Sequence, residues 1–144
     1  MTFGVSRAVV HWTRHSRLKM RQHRLSESRV KRVLHSPKRV EEGIAPNTIA
    51  MMQPVSVRLW RTEEGEFPSH KNLRPKETWT QEIWVMVQKR RQASPHQSEH
   101  DTGQAGAKRQ EIVKIISAWR YSGMTKPRDE ITKELLQERF REYL

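Results

Sequence analysis

The sequence predicts a single α+β domain, and three observations predict it. Residues Ile83–Val87 form one apolar run, and Ile112, Val113, Ile115 and Ile116 form a second that is β-branched; both read as buried strands. Between Thr13 and Pro37, two short segments carry buried-type residues at helical spacing under a shell of cations. Beyond Gly123 and Pro127 the chain reads as a C-terminal helix. The expected architecture is therefore two N-terminal helices, an antiparallel sheet of about four strands, and a C-terminal helix.

Each element has a local reason. Val5 and Ala8–Val10 within Thr2–Trp12 give a short first strand. Thr13 caps a helix running to His23, with Ser16 and Met20 on its inner face. Ser26 caps the second helix, Glu27 complements its positive end, and Leu25 staples onto Val30. Val30, Val33 and Leu34 make its apolar face, and Ser36–Pro37 ends it. Val40–Trp60 reads as two strands, one over Thr48–Met52 and one from the alternation Val55, Val57, Leu59. Arg61–Lys76 is polar and reads as a loop. Thr78–Lys89 and Glu111 onward then form the central antiparallel pair. Between them, residues 91–109 lack Val, Ile, Leu, Met and aromatics, the composition of a flexible insert. Pro127–Leu144 is the last helix, with Thr125 or Lys126 at its cap. Ile131 and Leu135 share one face, and Leu136, Phe140 and Leu144 another. Such a helix crosses two surfaces or packs on a partner chain.

Charge bounds the function. The 144 residues carry a formal charge of +12, with apolar content of only 34%. Mean hydropathy is −0.92 and the isoelectric point about 10.7. That balance calls for an anionic partner, of which nucleic acid is the commonest; the plain alternative is a soluble basic surface. From Arg14 to Arg39 there are ten Lys or Arg, three His and a single acidic residue, Glu27. Cations around one apolar seam suit phosphate. The absence of cysteine excludes disulfides, thiolate metal sites and a Cys nucleophile. The first residues, MTFGVSRAVVHW, lack the apolar core of a secretory signal, and no apolar run is long enough for a bilayer. A cytoplasmic protein with no membrane partner is expected. No Gly-rich phosphate loop and no G-x-S-x-G elbow occur. His11 and His15 are four apart, but no third ligand accompanies them, so no metal and no cofactor are expected.

The stretch Trp119–Arg120–Tyr121 ends the second buried strand and offers an aromatic–Arg–aromatic triplet for stacking and phosphate contact. The arrangement H-S-x-x-K-M-x-x-H-R-L-S-x-x-x-V-x-x-V-L-x-x-P, from His15 to Pro37, resembles the opening motif of the domain-of-unknown-function family numbered 4258. Ile115-Ile116-Ser117-Ala118-Trp119-Arg120 is similar to the Ile-Ser-Ala-Arg strand of the related BrnT group. Lys19 and His23 stand where that pattern usually has Arg, Arg24 where it has Gly, and Trp119 is inserted before the Arg. The resemblance implies a fold like that of the RelE and BrnT ribonuclease toxins, RNA or the ribosome as partner, and an antitoxin protein.

Two functions follow as expectations. The first is an RNA-binding protein, in its sharper form a metal-independent endoribonuclease. His15 or His23 would act as base or acid, the other lying on a flanking phosphate, with Lys19, Arg120 and Arg128 supplying charge. Arg14, Arg17, Arg29, Arg32, Trp119, Tyr121 and Arg128 would hold RNA. The second is a non-catalytic RNA- or ribosome-associated protein with the same surface. A protein-interaction module using the last helix explains that helix but not the charge.

Overall fold

The computed structural model describes residues 8–43, 45–59, 76–91 and 111–144. The 91–109 insert and the 61–76 loop fall almost wholly outside these residues. The elements in chain order are β1 (Val9–Trp12), α1 (Arg14–Gln22), α2 (Glu27–His35), β2 (Arg39–Glu42), β3 (Thr48–Pro54), β4 (Arg58–Leu59), β5 (Glu77–Thr78), β6 (Gln81–Arg91), β7 (Glu111–Ser122) and α3 (Glu130–Tyr143). Five strands form one sheet in the order β1-β7-β6-β3-β2, and β4 pairs with β5 as a separate ribbon.

The α+β class holds, with two corrections. A strand precedes the helices, and it pairs parallel to β7, so the sheet is mixed and five-stranded. The short strand expected within Thr2–Trp12 is present as β1, four residues long, with Val5 outside the described residues; its parallel place in the sheet was not expected. Its partner lies some hundred residues away, for example Val9 opposite Ile112, and nothing local fixes that direction. The second correction concerns Val55, Val57 and Leu59. They alternate as a strand should, yet all three are exposed; Val55 N donates to Gln81 O at 3.0 Å, and only Arg58–Leu59 belongs to a strand, paired with β5. Past Pro54 the chain leaves the sheet, so the alternation has no core to face.

Strands β6 and β7 are the long central pair, as expected, with Trp84 opposite Trp119. The rings stack at 6.2 Å and 5°. A register shift at Met86/Val87 accommodates one extra residue of β7, Ile116, as a bulge. Each face of the sheet has its own core. On one face Val30, Val33 and Leu34 of α2, with Met20 and Leu25, cover Ile83, Val85, Val113 and Ile115. On the other, Leu136, with Phe140 and Tyr143 of α3, covers Met52, Trp84, Ile116 and Trp119. Alternation sorts β7 residues between the two, with the Ile116 bulge shifting its phase: Val113, Ile115 and Ala118 join the first core, Ile116 and Trp119 the second.

The helix starts follow their sequence signals. Thr13 Oγ1 accepts from Ser16 N at 3.0 Å, and Ser26 Oγ accepts from Arg29 N at 3.2 Å. Helix α1 ends in a Schellman motif: Leu25 N donates to Met20 O at 2.8 Å and Arg24 N to Arg21 O at 3.2 Å. This requires Arg24 to be left-handed, with φ 53°. Glycine adopts that conformation without strain. Arg24→Gly should therefore raise stability by about 0.5–1 kcal/mol, read by urea unfolding. Helix α3 begins later than expected. Arg128 is left-handed (φ 56°), so Pro127 sits in a turn and Asp129 occupies the cap position.

Candidate nucleic-acid interface

Helix α1 lies along the outer edge of β7, beyond the end of β1. Thr13 Oγ1 donates to Ile115 O at 2.7 Å, and Arg120 N donates to His23 Nδ1 at 3.3 Å. The first and last turns of α1 are thus fastened to strand atoms that would otherwise face solvent. His15 falls in the first turn, Lys19 one turn on, and His23 at the C-cap.

These three residues meet α3 rather than an open cleft. The His15 ring stands edge-on to Tyr143, centroids 5.9 Å apart. Among the described residues His15 Nε2 is buried without a hydrogen-bond partner. Lys19 Nζ lies 3.0 Å from Glu142 Oε2, and Arg139 Nη1 lies 3.3 Å from the same oxygen. Burial, then Lys19, holds the His15 imidazole below its ordinary 6.5, and Glu142 pulls the other way. Burial also lowers His23, helped by Arg139, Lys19 and Arg120 and opposed by Glu142. The direction matches the expectation from neighbouring cations, but desolvation is the larger cause. Glu142 itself sits below the ordinary carboxylate value: burial raises it, and the hydrogen bond and charge of Lys19 and of Arg139 together outweigh that.

The pH dependence has a definite sign. A His whose folded pKa is depressed disfavours protonation in the native state, so the unfolded chain binds more protons. The stability these two groups contribute is complete above 6.5 and is lost as pH falls through 6.5 toward their folded values. Glu142 adds a separate loss that begins only near its unfolded value of 4.5. The melting temperature should be lower at about pH 5.5 than at about pH 7.5, and His15→Phe with His23→Asn should flatten that slope.

Arg120 is committed to structure. Its Nε donates to His23 O at 2.8 Å, Nη2 to Arg24 O at 3.3 Å and Nη1 to Gln81 Oε1 at 3.3 Å. It caps the end of α1 and the α1–α2 turn. Trp119 and Tyr121 do not join it. Successive strand residues point to opposite faces, so Arg120 turns to α1 and α2 while its two neighbours turn to α3. Trp119 is 0% exposed, with Arg139 5.6 Å above its ring, and cannot stack on a base. Tyr121 is half-buried against the same core. His11 lies on β1 and His15 on α1, so no helix pairs them. Arg128 sits apart, its N donating to Glu41 Oε1 at 3.1 Å, in a groove between β2 and α3 of about 830 Å³.

The basic face survives these corrections and centres on α2. Arg14, Arg17 and Arg32 are exposed, and Arg17 pairs loosely with Glu27 at 3.4 Å. Arg29 is half-buried and donates to Gln53 Oε1; Gln53 Nε2 in turn donates to Ser36 O at 3.2 Å. Burial lowers the Arg29 pKa most, and the nearby charges of Arg32 and Arg120 lower it further. Sequence reasoning missed Gln53, Arg139, Glu142 and Tyr143. Only the Arg139–Glu142 spacing was a local signal. Compared with protein-family models, curated proteins and solved structures, the chain shows no match.

Proposed function

We propose that this protein binds RNA on the basic face formed by α2, the end of α1 and the end of β7. One observation carries the reading. Of the ten Lys and Arg between Arg14 and Arg39, four (Arg17, Lys19, Lys38 and Arg39) have carboxylates in ion-pair range. Arg14, Arg21, Arg24, Arg29, Lys31 and Arg32 have none among the described residues. Unpaired cations concentrated on one surface, with Arg29 pre-oriented by a neutral amide, suit a phosphate chain. The binder is favoured over the nuclease because His15, Lys19, His23 and Arg120 each have a structural partner and do not converge on one reacting atom. The sharper reading keeps one support: part of His15 lines a depression with Arg14, Arg17 and Arg21, while its unpaired Nε2 is buried.

Fluorescence anisotropy against salt tests the binding. Each neutralised phosphate contributes roughly 0.7–0.9 to the slope of log K against log salt, so Arg29→Gln with Arg32→Gln should flatten it by roughly 1–2. An unchanged slope would move RNA to another surface.

A further inference from the structure

Beside α2 lies a groove of about 460 Å³ whose walls differ in chemistry. Arg29 and Arg32 form one wall, and Pro37, Pro54, Val55 and Val57 the other. None of the described residues that line it is acidic. Val55 and Val57 are 41% and 43% exposed, unusual company for two arginines. Lys38 at the rim is already held by Glu77. Gln53 lies between the walls. Its amide is oriented by Arg29 and by Ser36 O, which leaves one N–H and one lone pair for a ligand edge.

We infer that this groove receives one unpaired nucleotide of an RNA strand, its phosphate on Arg29 and Arg32 and its base against Val55 and Val57. The inference rests on the RNA-binding reading and adds a substrate class to it. A fork of guanidinium donors matches phosphate oxygens. The apolar wall has no use for phosphate or ribose, but it matches the face of a base. In a duplex that face is buried in the stack, so only an unpaired nucleotide can present it. The volume is within the range of small-ligand sites. The carboxamide between the walls can then meet the edge of the base. Flanking phosphates would fall to other cations of the basic face, so a strand should be held better than a free nucleotide.

The test compares a short unstructured RNA strand, a blunt duplex of the same length and adenosine monophosphate, all at one salt concentration. The strand should bind about tenfold more tightly than the duplex, in keeping with what one base contact is worth, and far more tightly than the monophosphate. Val55→Ser with Val57→Ser should remove most of that preference; both positions are exposed, so the fold should hold. Equal affinity for strand and duplex, each sensitive to salt, would overturn the pocket and leave the basic face standing. Monophosphate binding as tight as the strand would also overturn it, making the groove a free-nucleotide site. No salt-sensitive binding to any probe would overturn the broader reading and the pocket with it.

Discussion

Glu82→Ala should destabilise the fold by about 3–5 kcal/mol, a large share of the stability of an ordinary domain. Glu82 is 0% exposed. Its carboxylate accepts from Trp79 Nε1 at 2.9 Å, Trp84 Nε1 at 2.8 Å, Thr125 N at 2.8 Å and Thr125 Oγ1 at 2.8 Å. The removal would leave two indoles, an amide and a hydroxyl without their acceptor, three of the four bonds being buried. Thr125 also links the carboxylate to a cation, since Arg39 Nη1 donates to Thr125 O at 2.9 Å. The Arg39 guanidinium in turn lies 5.1 Å over the Trp84 ring. This network fastens the turn after Gly123 to β6 and so sets where α3 meets the sheet. Urea unfolding measures the loss. Thr125→Val alone should cost about 1–2 kcal/mol, and the double variant should fall short of the sum because both act on one network. A Glu82→Ala cost below about 1 kcal/mol would mean that water satisfies the orphaned donors.

Much of the scaffold was legible because its causes are local. Thr13, Ser26 and the Leu25–Val30 staple sit within a few residues of what they stabilise, and the helices begin where those residues place them. The β-branched runs of β6 and β7 likewise announced two buried strands. What escaped was long-range. The partner of Lys19 is Glu142, on the last helix, and the partners of Glu82 include Thr125. No spacing rule joins such positions. The parallel pairing of β1 is of the same kind. The grouping of Trp119, Arg120 and Tyr121 is a different matter. Strand alternation already separates a residue from both its neighbours, and the period alone assigns Arg120 to one face and both aromatics to the other. Of the candidate site, the basic face was visible as composition. Its focus at Arg29 was not, because Gln53, which orients that guanidinium, lies on a strand 24 residues away.

Arg120→Ala should lower stability by about 2–3 kcal/mol, since charge-assisted hydrogen bonds to carbonyls are among the stronger ones, and Arg120→Lys should recover little of it. The reason is geometric. Arg120 reaches His23 O, Arg24 O and Gln81 Oε1 with three different nitrogens, and a single ammonium cannot span them. A residue whose work is to supply charge to phosphate would behave in the opposite way, with Lys restoring most of the function. Binding separates the same alternatives: the salt slope for RNA should be nearly the same in folded Arg120→Ala as in the native protein, whereas loss of a phosphate contact would flatten it by roughly 0.7–0.9. The nuclease reading meets its decisive test in the same preparation. Native protein incubated with unstructured RNA in excess EDTA, with and without ribosomes, should leave the RNA intact. A general base must come within hydrogen-bond reach of the ribose 2′-OH while cations gather on the same phosphate. Here the Lys19 ammonium is held by Glu142, and His23 Nδ1 is occupied by the Arg120 amide. Cleavage leaving 2′,3′-cyclic phosphate ends, abolished by His15→Ala with RNA affinity kept within about tenfold, would overturn this and make His15 a catalytic residue.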